Sequence, residues 1–165
     1  NPEVRGFTRK EQLEHAHSRG GCVVQAHPFR DRDYIPNIHL GVDYADAFEV
    51  GNAGNRPEND VQAYRWAQHN RRVMTAGSDI HSAKQYDDDQ LMGVLLERPL
   101  RDIRDFADAI RGGRVKGLRV PAGRLEGELT MPTKRIYLHG QKPERVHDVA
   151  GMFPPGAFAG EGPEQ

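Results

Sequence analysis

Short apolar runs alternate with amphipathic segments along the first 120 residues of the chain. Apolar runs of four to six residues predict four short strands, at 22–26, 45–50, 73–76 and 93–96. A capping-box signature and two segments with apolar residues at helical spacing predict three helices, at 8–19, 58–70 and 101–111. This alternation is typical of an α/β protein with parallel strands.

The pattern weakens beyond residue 120, where it predicts one more strand, at 135–138. The last 15 residues contain seven glycines or prolines, a composition that favours a disordered tail. The sequence therefore predicts an α/β domain over residues 1–120, followed by a short strand and an irregular Gly/Pro-rich tail over 121–165.

Composition and charge narrow the class of protein. The 165 residues include 23 basic and 24 acidic side chains, so the formal net charge is −1, which disfavours a nucleic-acid surface. No segment approaches the roughly 18 consecutive apolar residues of a membrane-spanning helix. The single cysteine, Cys22, excludes an internal disulfide and a cysteine-rich zinc site. These features predict a cytoplasmic protein with no membrane partner.

Three of the predicted strands end in residues that can bind metals or polar ligands. His27 follows the first strand, Asn52 follows the second, and Asp79 and His81 follow the third. Because ligand sites of parallel α/β folds lie at the carboxyl ends of the strands, these side chains are expected in one cleft. Asp79 and His81 share a face if the chain between them is extended. A carboxylate beside an imidazole suits Mn²⁺, Fe²⁺ or Zn²⁺.

Three segments in this order resemble motifs of the PHP (polymerase and histidinol phosphatase) family. They are Ala-His-Pro at 26–28, Phe-Glu-Val-Gly-Asn at 48–52 and Gly-Ser-Asp-Ile-His at 77–81. The resemblance covers about residues 8–120 and corresponds to the second half of such a domain. It implies the C-terminal portion of a distorted (β/α)7 TIM-like barrel and hydrolysis of a phosphate ester. The His-x-His strand that opens PHP domains has no counterpart before His27, so the resemblance implies a fragment that lacks its amino-terminal half.

The resemblance also implies roles for individual residues. His27, Asp79 and His81 would be metal ligands, and the cofactors would be up to three manganese, iron or zinc ions. The metals would activate the water that attacks phosphorus, and His81 or a histidine of the missing half would protonate the leaving group. Asp79 and His81 are therefore the predicted catalytic residues.

Residues near these strand ends are candidates for binding the substrate. Arg30 and Arg32 are candidates for binding its phosphate, because guanidinium groups match phosphate oxygens, although a charged surface loop explains them equally well. Asn52 would line the same cleft or belong to an ordinary loop. Glu49 either supports a ligand histidine or is a paired carboxylate of the core. The near-neutral net charge favours a small phosphorylated substrate over a nucleic acid.

An incomplete barrel also permits a function without catalysis. A truncated domain, or one with a degraded metal cluster, would act as a binding or interaction module. Half a barrel exposes unpaired strand edges and apolar surface. The expected macromolecular partners are therefore the missing amino-terminal half or a second copy of the chain.

The remaining candidate residues are assigned structural roles. His15 and His17 lie about 200° apart around a predicted helix, so they are expected on a solvated helix face. Cys22 is expected in the core, and 87–89 is expected to be an acidic loop without a metal. Four other histidines are expected at the surface, namely His39, His69, His139 and His147.

Overall fold

The computed structural model describes residues 5–140 and 142–158, which form three α-helices and eight strands. The helices are α1 (Arg9–Ser18), α2 (Pro57–His69) and α3 (Ile103–Arg111). The strands are β1 (Val24–Gln25), β2 (Asn37–Leu40), β3 (Ala47–Asn52), β4 (Met74–Gly77), β5 (Gly93–Leu96), β6 (Val115–Arg119), β7 (Arg135–His139) and β8 (Pro143–Arg145).

The strands form three small sheets. One sheet has the order β1-β3-β4 and is entirely parallel, with Val24 opposite Ala47 and Phe48 opposite Met74. A second sheet has the order β2-β7-β8, in which β2 and β7 are parallel and β7 and β8 are antiparallel. Strands β5 and β6 form an antiparallel pair. The described residues are thus a mixed α/β fold in which the strands do not close into a barrel.

The three predicted helices and five predicted strands are confirmed. The capping box at the start of α1 is formed as expected, since Thr8 Oγ1 accepts from the Glu11 amide at 3.3 Å and Glu11 Oε2 accepts from the Thr8 amide at 2.7 Å. Three strands were not predicted, namely β2, β6 and β8. In β2 only Ile38 and Leu40 are buried, so the strand has no apolar run to signal it.

The core lies between α2 and the parallel sheet. Trp66 of α2 packs edge-on against Phe48 of β3, with ring centroids 4.8 Å apart, and lies 5.9 Å from the ring of Phe29. Phe153 also packs against Phe29, at 6.1 Å between ring centroids. Each of these four aromatic side chains is almost fully buried, so they form the centre of the hydrophobic cluster.

The expectation of a disordered tail is wrong over the described part of the C-terminus. Residues 146–158 are irregular in backbone apart from one short 3₁₀ turn, but Met152, Phe153 and Phe158 are buried in the same core as Phe48. The apolar residues among the glycines and prolines therefore determine the packing of this segment. Residues 159–165, which are also part of the predicted tail, lie outside the described residues.

One surface assignment of a histidine is wrong. His139 is 7% exposed at the end of β7, and its Nε2 lies 2.7 Å from Nδ1 of His39, a partner distant in the sequence. The side chain of His17 on α1 is 37% exposed, and its Nε2 is 2.9 Å from both carboxylate oxygens of Asp46, a contact that was not predicted.

The described residues contain no helix that is both long and apolar enough to cross a bilayer. The longest, α2, has 13 residues and is amphipathic, with Val61, Trp66 and Ala67 buried and Glu58 exposed.

Candidate functional site

The carboxyl ends of β1, β3 and β4 meet at one edge of the parallel sheet, as predicted. A single carboxylate, that of Glu49, links the ends of β1 and β3. Its Oε2 accepts from the backbone amide of His27 at 3.0 Å and from Nδ2 of Asn52 at 2.9 Å. On the third strand Gly77 lies beside the same carboxylate, because a Cβ at this position would come within 2.6 Å of Glu49 Oε1. Glu49 therefore supports the backbone at this edge.

A β-bulge in β3 makes the contact between Glu49 and Asn52 possible. Residues three apart in a regular strand point to opposite faces of the sheet. The register between β3 and β4 shifts between Glu49 and Gly51, so that one residue of β3 has no partner in β4. A bulge of this kind re-aims the following side chains, and here it brings Asn52 to the side of Glu49.

Asp79 and His81 lie together just beyond β4. The ring Nδ1 of His81 is 2.8 Å from the backbone oxygen of Asp79 and 3.7 Å from its carboxylate. Because a carbonyl oxygen only accepts, Nδ1 of His81 carries the proton and Nε2 is the basic nitrogen of the neutral ring. The His81 side chain is 76% exposed, so Nε2 is accessible to a ligand.

The Asp79 carboxylate also contacts Arg30 and the loop after β3. Arg30 Nη1 lies 3.5 Å from Asp79 Oδ2. The same carboxylate lies against Gly54, where a Cβ would overlap Oδ2 of Asp79. Gly54 is held in place by Asn52, whose Oδ1 accepts from the Gly54 amide at 2.8 Å. Arg30, Asn52 and Asp79 are thus brought together as predicted.

The backbone is strained at two of the strand ends. His27 has a φ of 33° and Asp79 has a φ of 51°, and both values lie in the left-handed region that favours glycine. Strain of this kind clusters at functional sites, where the surrounding structure holds it in place. Both residues are candidate ligands on sequence grounds, so the strain coincides with the predicted site.

The two candidate phosphate-binding arginines have different environments. Arg32 donates from Nη2 to the backbone oxygen of Gly54 at 2.9 Å and from Nη1 to the oxygen of Asp31 at 3.1 Å, so it braces the loop after β3. Arg30 has only the long contact with Asp79, and its buried Nε has no hydrogen-bond partner within the described part of the chain. Arg30 is therefore the arginine with donors available for a ligand.

A buried ion pair, which was not predicted from the sequence, supports the carboxyl edge of the parallel sheet. Asp60 is 1% exposed and accepts from Arg124 Nε at 2.9 Å and from the Asn52 amide at 3.0 Å. Arg124 Nη2 donates to the backbone oxygens of Asn52 and Asn55 at 2.8 and 2.9 Å. Burial raises the pKa of Asp60, although hydrogen bonds from Asn52, Asn55 and Arg124 oppose this effect.

The predicted metal ligands do not form a metal site by themselves. In residues 5–140 and 142–158, no group of three or more histidine, cysteine, aspartate or glutamate side chains is arranged to hold one ion. Asp79 faces the cationic Arg30, and His81 extends into solvent. His27 is tied to the same edge through its backbone amide. The described donors are therefore too few for a closed metal centre.

Comparison with known protein families, with curated proteins and with solved structures finds no match to this chain. Inferences about its function therefore depend on the residues of the candidate site.

Proposed function

We propose that the chain carries part of a divalent-metal-dependent phosphoesterase site, in the C-terminal portion of a TIM-like barrel of the PHP type that its strand-end motifs resemble. The observation that supports this proposal is the cluster of Arg30, Asn52, Asp79 and His81 at the carboxyl edge of a parallel sheet. A cation for phosphate, a carboxylate and an accessible imidazole are groups that can promote phosphoester hydrolysis.

Arg30 is the proposed phosphate-binding residue. Its Nη1 is 3.5 Å from Asp79, which is a weak contact, and its Nε has no partner among the described residues. A phosphate oxygen offers a stronger charge-assisted hydrogen bond than this long contact. Arg32 positions the loop after β3, so its proposed contribution to substrate binding acts through Gly54.

His81 is the proposed proton carrier. Its Nδ1 is fixed by the backbone oxygen of Asp79, so Nε2 is the atom that exchanges a proton with the leaving group. The carboxylate of Asp79 lies 3.7 Å from Nδ1. In the proposal His81 supplies the acid chemistry, and Asp79 orients its ring.

Metal chemistry at this edge requires donors beyond the described set. A manganese, iron or zinc ion would supply an activated water, and His27 and Asp79 would hold it. His81 would join them as a ligand through Nε2 in place of its role as proton carrier, because Nδ1 is bonded to the backbone oxygen of Asp79. In the proposal, the remaining donors come from an additional segment of polypeptide or from a second copy of the chain. The proposed substrate is a small phosphate monoester, and the proposed compartment is the cytoplasm.

A second candidate function is binding without catalysis. The observation that favours it is that the described residues include no group of three metal donors. In that case Arg30 and the loop after β3 would hold a phosphorylated ligand and release it unchanged.

Release of inorganic phosphate from glycerol 2-phosphate by the purified chain, with and without Mn²⁺, Fe²⁺ or Zn²⁺, tests the proposal, because the alkoxide leaving group of this substrate needs a proton from an acid such as His81. His81→Asn is expected to lower the rate at least about 100-fold, as expected for loss of acid–base catalysis, while His69→Asn, at an exposed position of α2, leaves it unchanged. Equal rates in the two variants would contradict the role of His81. Phosphate binding that depends on Arg30, without hydrolysis under any metal, would favour the second candidate.

A further inference from the structure

A second cluster of polar side chains lies between α1, β1 and β2 and shares no residue with the candidate site. It lines an open cavity of about 260 Å³ that we call the Arg9–His39 pocket. Its polar lining residues are Arg9, Gln12, Gln25, His39 and Tyr44.

The walls of the Arg9–His39 pocket are fixed by hydrogen bonds. Gln25 donates from Nε2 to the backbone oxygen of His39 at 2.5 Å and accepts from the Gly41 amide at 2.8 Å. Tyr44 donates its hydroxyl to the backbone oxygen of Gly140 at 2.7 Å. The pocket is therefore preorganised, which lowers the entropic cost of binding a ligand.

The ring of His39 is held in one orientation. It stacks on Tyr137 with centroids 5.4 Å apart and an interplanar angle of 19°. Its Nδ1 lies 2.7 Å from Nε2 of His139, so one of these two nitrogens donates in the hydrogen bond between them and the other accepts. The other nitrogen of His39, Nε2, has no hydrogen-bond partner in the described parts of the chain.

Arg9 supplies a positive charge to the same pocket. Its guanidinium makes no hydrogen bond or ion pair with any residue between 5 and 140 or between 142 and 158. Burial, and then the charge of Arg9, lower the pKa of both His39 and His139. Arg9 is the one side chain whose charge lowers the pKa of both rings, so it lies within electrostatic range of the two histidines.

We propose that the Arg9–His39 pocket binds a small oxyanion, a carboxylate or phosphate group, between the guanidinium of Arg9 and Nε2 of His39. In the bound state His39 Nε2 carries the proton and donates to the anion, while Nδ1 accepts from Nε2 of His139. This tautomer requires no additional proton, so the pocket binds with both rings neutral.

Binding in this pocket is coupled to protonation of the histidine pair. The charged and titratable groups around the pair are Arg9 of α1, Asp43 and Tyr44 after β2, Arg135 and Tyr137 of β7, and Arg145 of β8, which lies opposite Tyr137. A bound anion offsets the charge of Arg9 and therefore favours uptake of one proton by the pair. By linkage, the anion binds more tightly as the pH falls toward the histidine pKa.

NMR titration of the histidine rings with sodium phosphate or sodium acetate, at ionic strength held constant with NaCl, tests this inference. We expect saturable shifts of the His39 and His139 resonances and a raised pKa of the pair with at least one of the anions. Arg9→Gln should weaken binding at least about tenfold, because a charge-assisted hydrogen bond is lost. Lys10→Gln, the neighbouring exposed cation on α1, should leave the affinity unchanged.

Two further variants test whether the anion binds in this pocket. Arg30→Gln removes the proposed phosphate ligand of the candidate site and should leave the shifts of His39 unchanged. His39→Asn should abolish binding, while circular dichroism verifies that the fold is retained. Shifts that rise linearly without saturation for both anions, or equal affinities in Arg9→Gln and Lys10→Gln, would overturn the inference.

Discussion

Arg124 shows how one residue distant in the sequence supports the candidate site. It pairs with Asp60, which is almost fully buried, and donates to two backbone oxygens in the loop after β3. A buried ion pair contributes little net free energy to folding. Removal of one partner nevertheless destabilises the protein strongly, because the remaining charge stays in a poorly solvated place.

Arg124→Met is therefore expected to lower the free energy of unfolding by about 3 kcal/mol. Urea denaturation at pH 7 measures the change, and Arg119→Met, at an exposed position of β6, is the control and should alter stability little. The loss should shrink as the pH falls, because burial already raises the pKa of Asp60 and a protonated carboxyl needs no counter-charge. A loss that is independent of pH would show that Asp60 is not the group responsible.

Gly51 is a second single residue that the structure constrains, because its position has no room for a side chain. A Cβ at this buried position of β3 would lie 3.1 Å from Val120 Cγ1 and 3.2 Å from the Cβ of Ala76. Both distances are shorter than ordinary van der Waals contact, so Val120 and Ala76 would have to shift to accommodate the methyl group.

Gly51→Ala is expected to destabilise the protein by about 1–3 kcal/mol through overpacking. Gly93→Ala is the matched control, since Gly93 lies in β5 and a methyl group there would have no neighbouring atom within 4 Å. Thermal unfolding of the two variants measures the difference. Equal melting temperatures would mean that β3 and β4 separate easily at this point.

At the scale of the element, α3 is anchored by one carboxylate in its first turn. Asp105 is 7% exposed and accepts from the guanidinium groups of Arg98 and Arg101, at distances between 2.8 and 3.1 Å. Hydrogen bonds from Arg101 and then from Arg98 hold the pKa of Asp105 far below its ordinary value. The start of α3 is therefore fixed by charge as well as by apolar packing.

This depressed pKa determines how the stability of α3 depends on pH. A carboxylate with a lowered folded-state pKa stabilises the fold above its unfolded pKa of about 4, and the contribution is lost as the pH falls below that value. The difference in unfolding free energy between wild type and Asp105→Asn should be constant from neutral pH to about pH 5 and shrink below pH 4. Urea denaturation across this range measures it.

Asp108→Asn on the same helix is the control for this pH dependence. Asp108 is half exposed and pairs with Arg111, three residues away. Exposed pairs of this kind contribute little to stability, so the variant should differ little from wild type at any pH. A similar pH profile for both variants would show that the acid sensitivity arises elsewhere.

The elements that the sequence predicts well are those with continuous apolar runs or clear start signals. Strand β5 has the predicted bounds, and α1 begins directly after Thr8, the residue of the capping box. Strand β6 is not predicted because Gly117 interrupts it and two of its five residues, Lys116 and Arg119, are exposed and charged. Apolar periodicity carries no signal for such a strand.

The candidate site likewise has features that the sequence predicts and features that it does not. The convergence of His27, Asn52 and Asp79 was predictable, because parallel strands place their carboxyl ends at one edge of a sheet. The bulge after Glu49 and the Asp60–Arg124 pair were not predictable, because each depends on contacts between residues from different elements.

At the scale of the whole molecule, the chain beyond residue 120 completes the core. Phe153 is 1% exposed and lies between Phe29 and Phe158, with ring centroids 6.1 and 5.2 Å away. The hydrophobic cluster therefore joins the segment around residue 153 to α2 and β3.

Phe153→Ala is expected to lower the free energy of unfolding by about 3–5 kcal/mol, the usual cost of removing a large aromatic side chain from a core. Tyr34→Ala removes an aromatic ring that is 76% exposed and should cost much less. Chemical denaturation of both variants measures the difference. If Phe153→Ala were as stable as Tyr34→Ala, the segment around residue 153 would not belong to the cooperative core.

The long sequence separation of the contacts made by Arg124 has a consequence for the order of folding. Its bonds to Asn52, Asn55 and Asp60 close loops of 64 to 72 residues, whereas β3 and β4 pair across about 26 residues. Contacts that close longer loops form later on average, because more chain entropy is lost before they form. During synthesis, the parallel sheet can therefore assemble before residue 124 has emerged, and the loop that bears Asn52 and Gly54 acquires its final shape only afterwards.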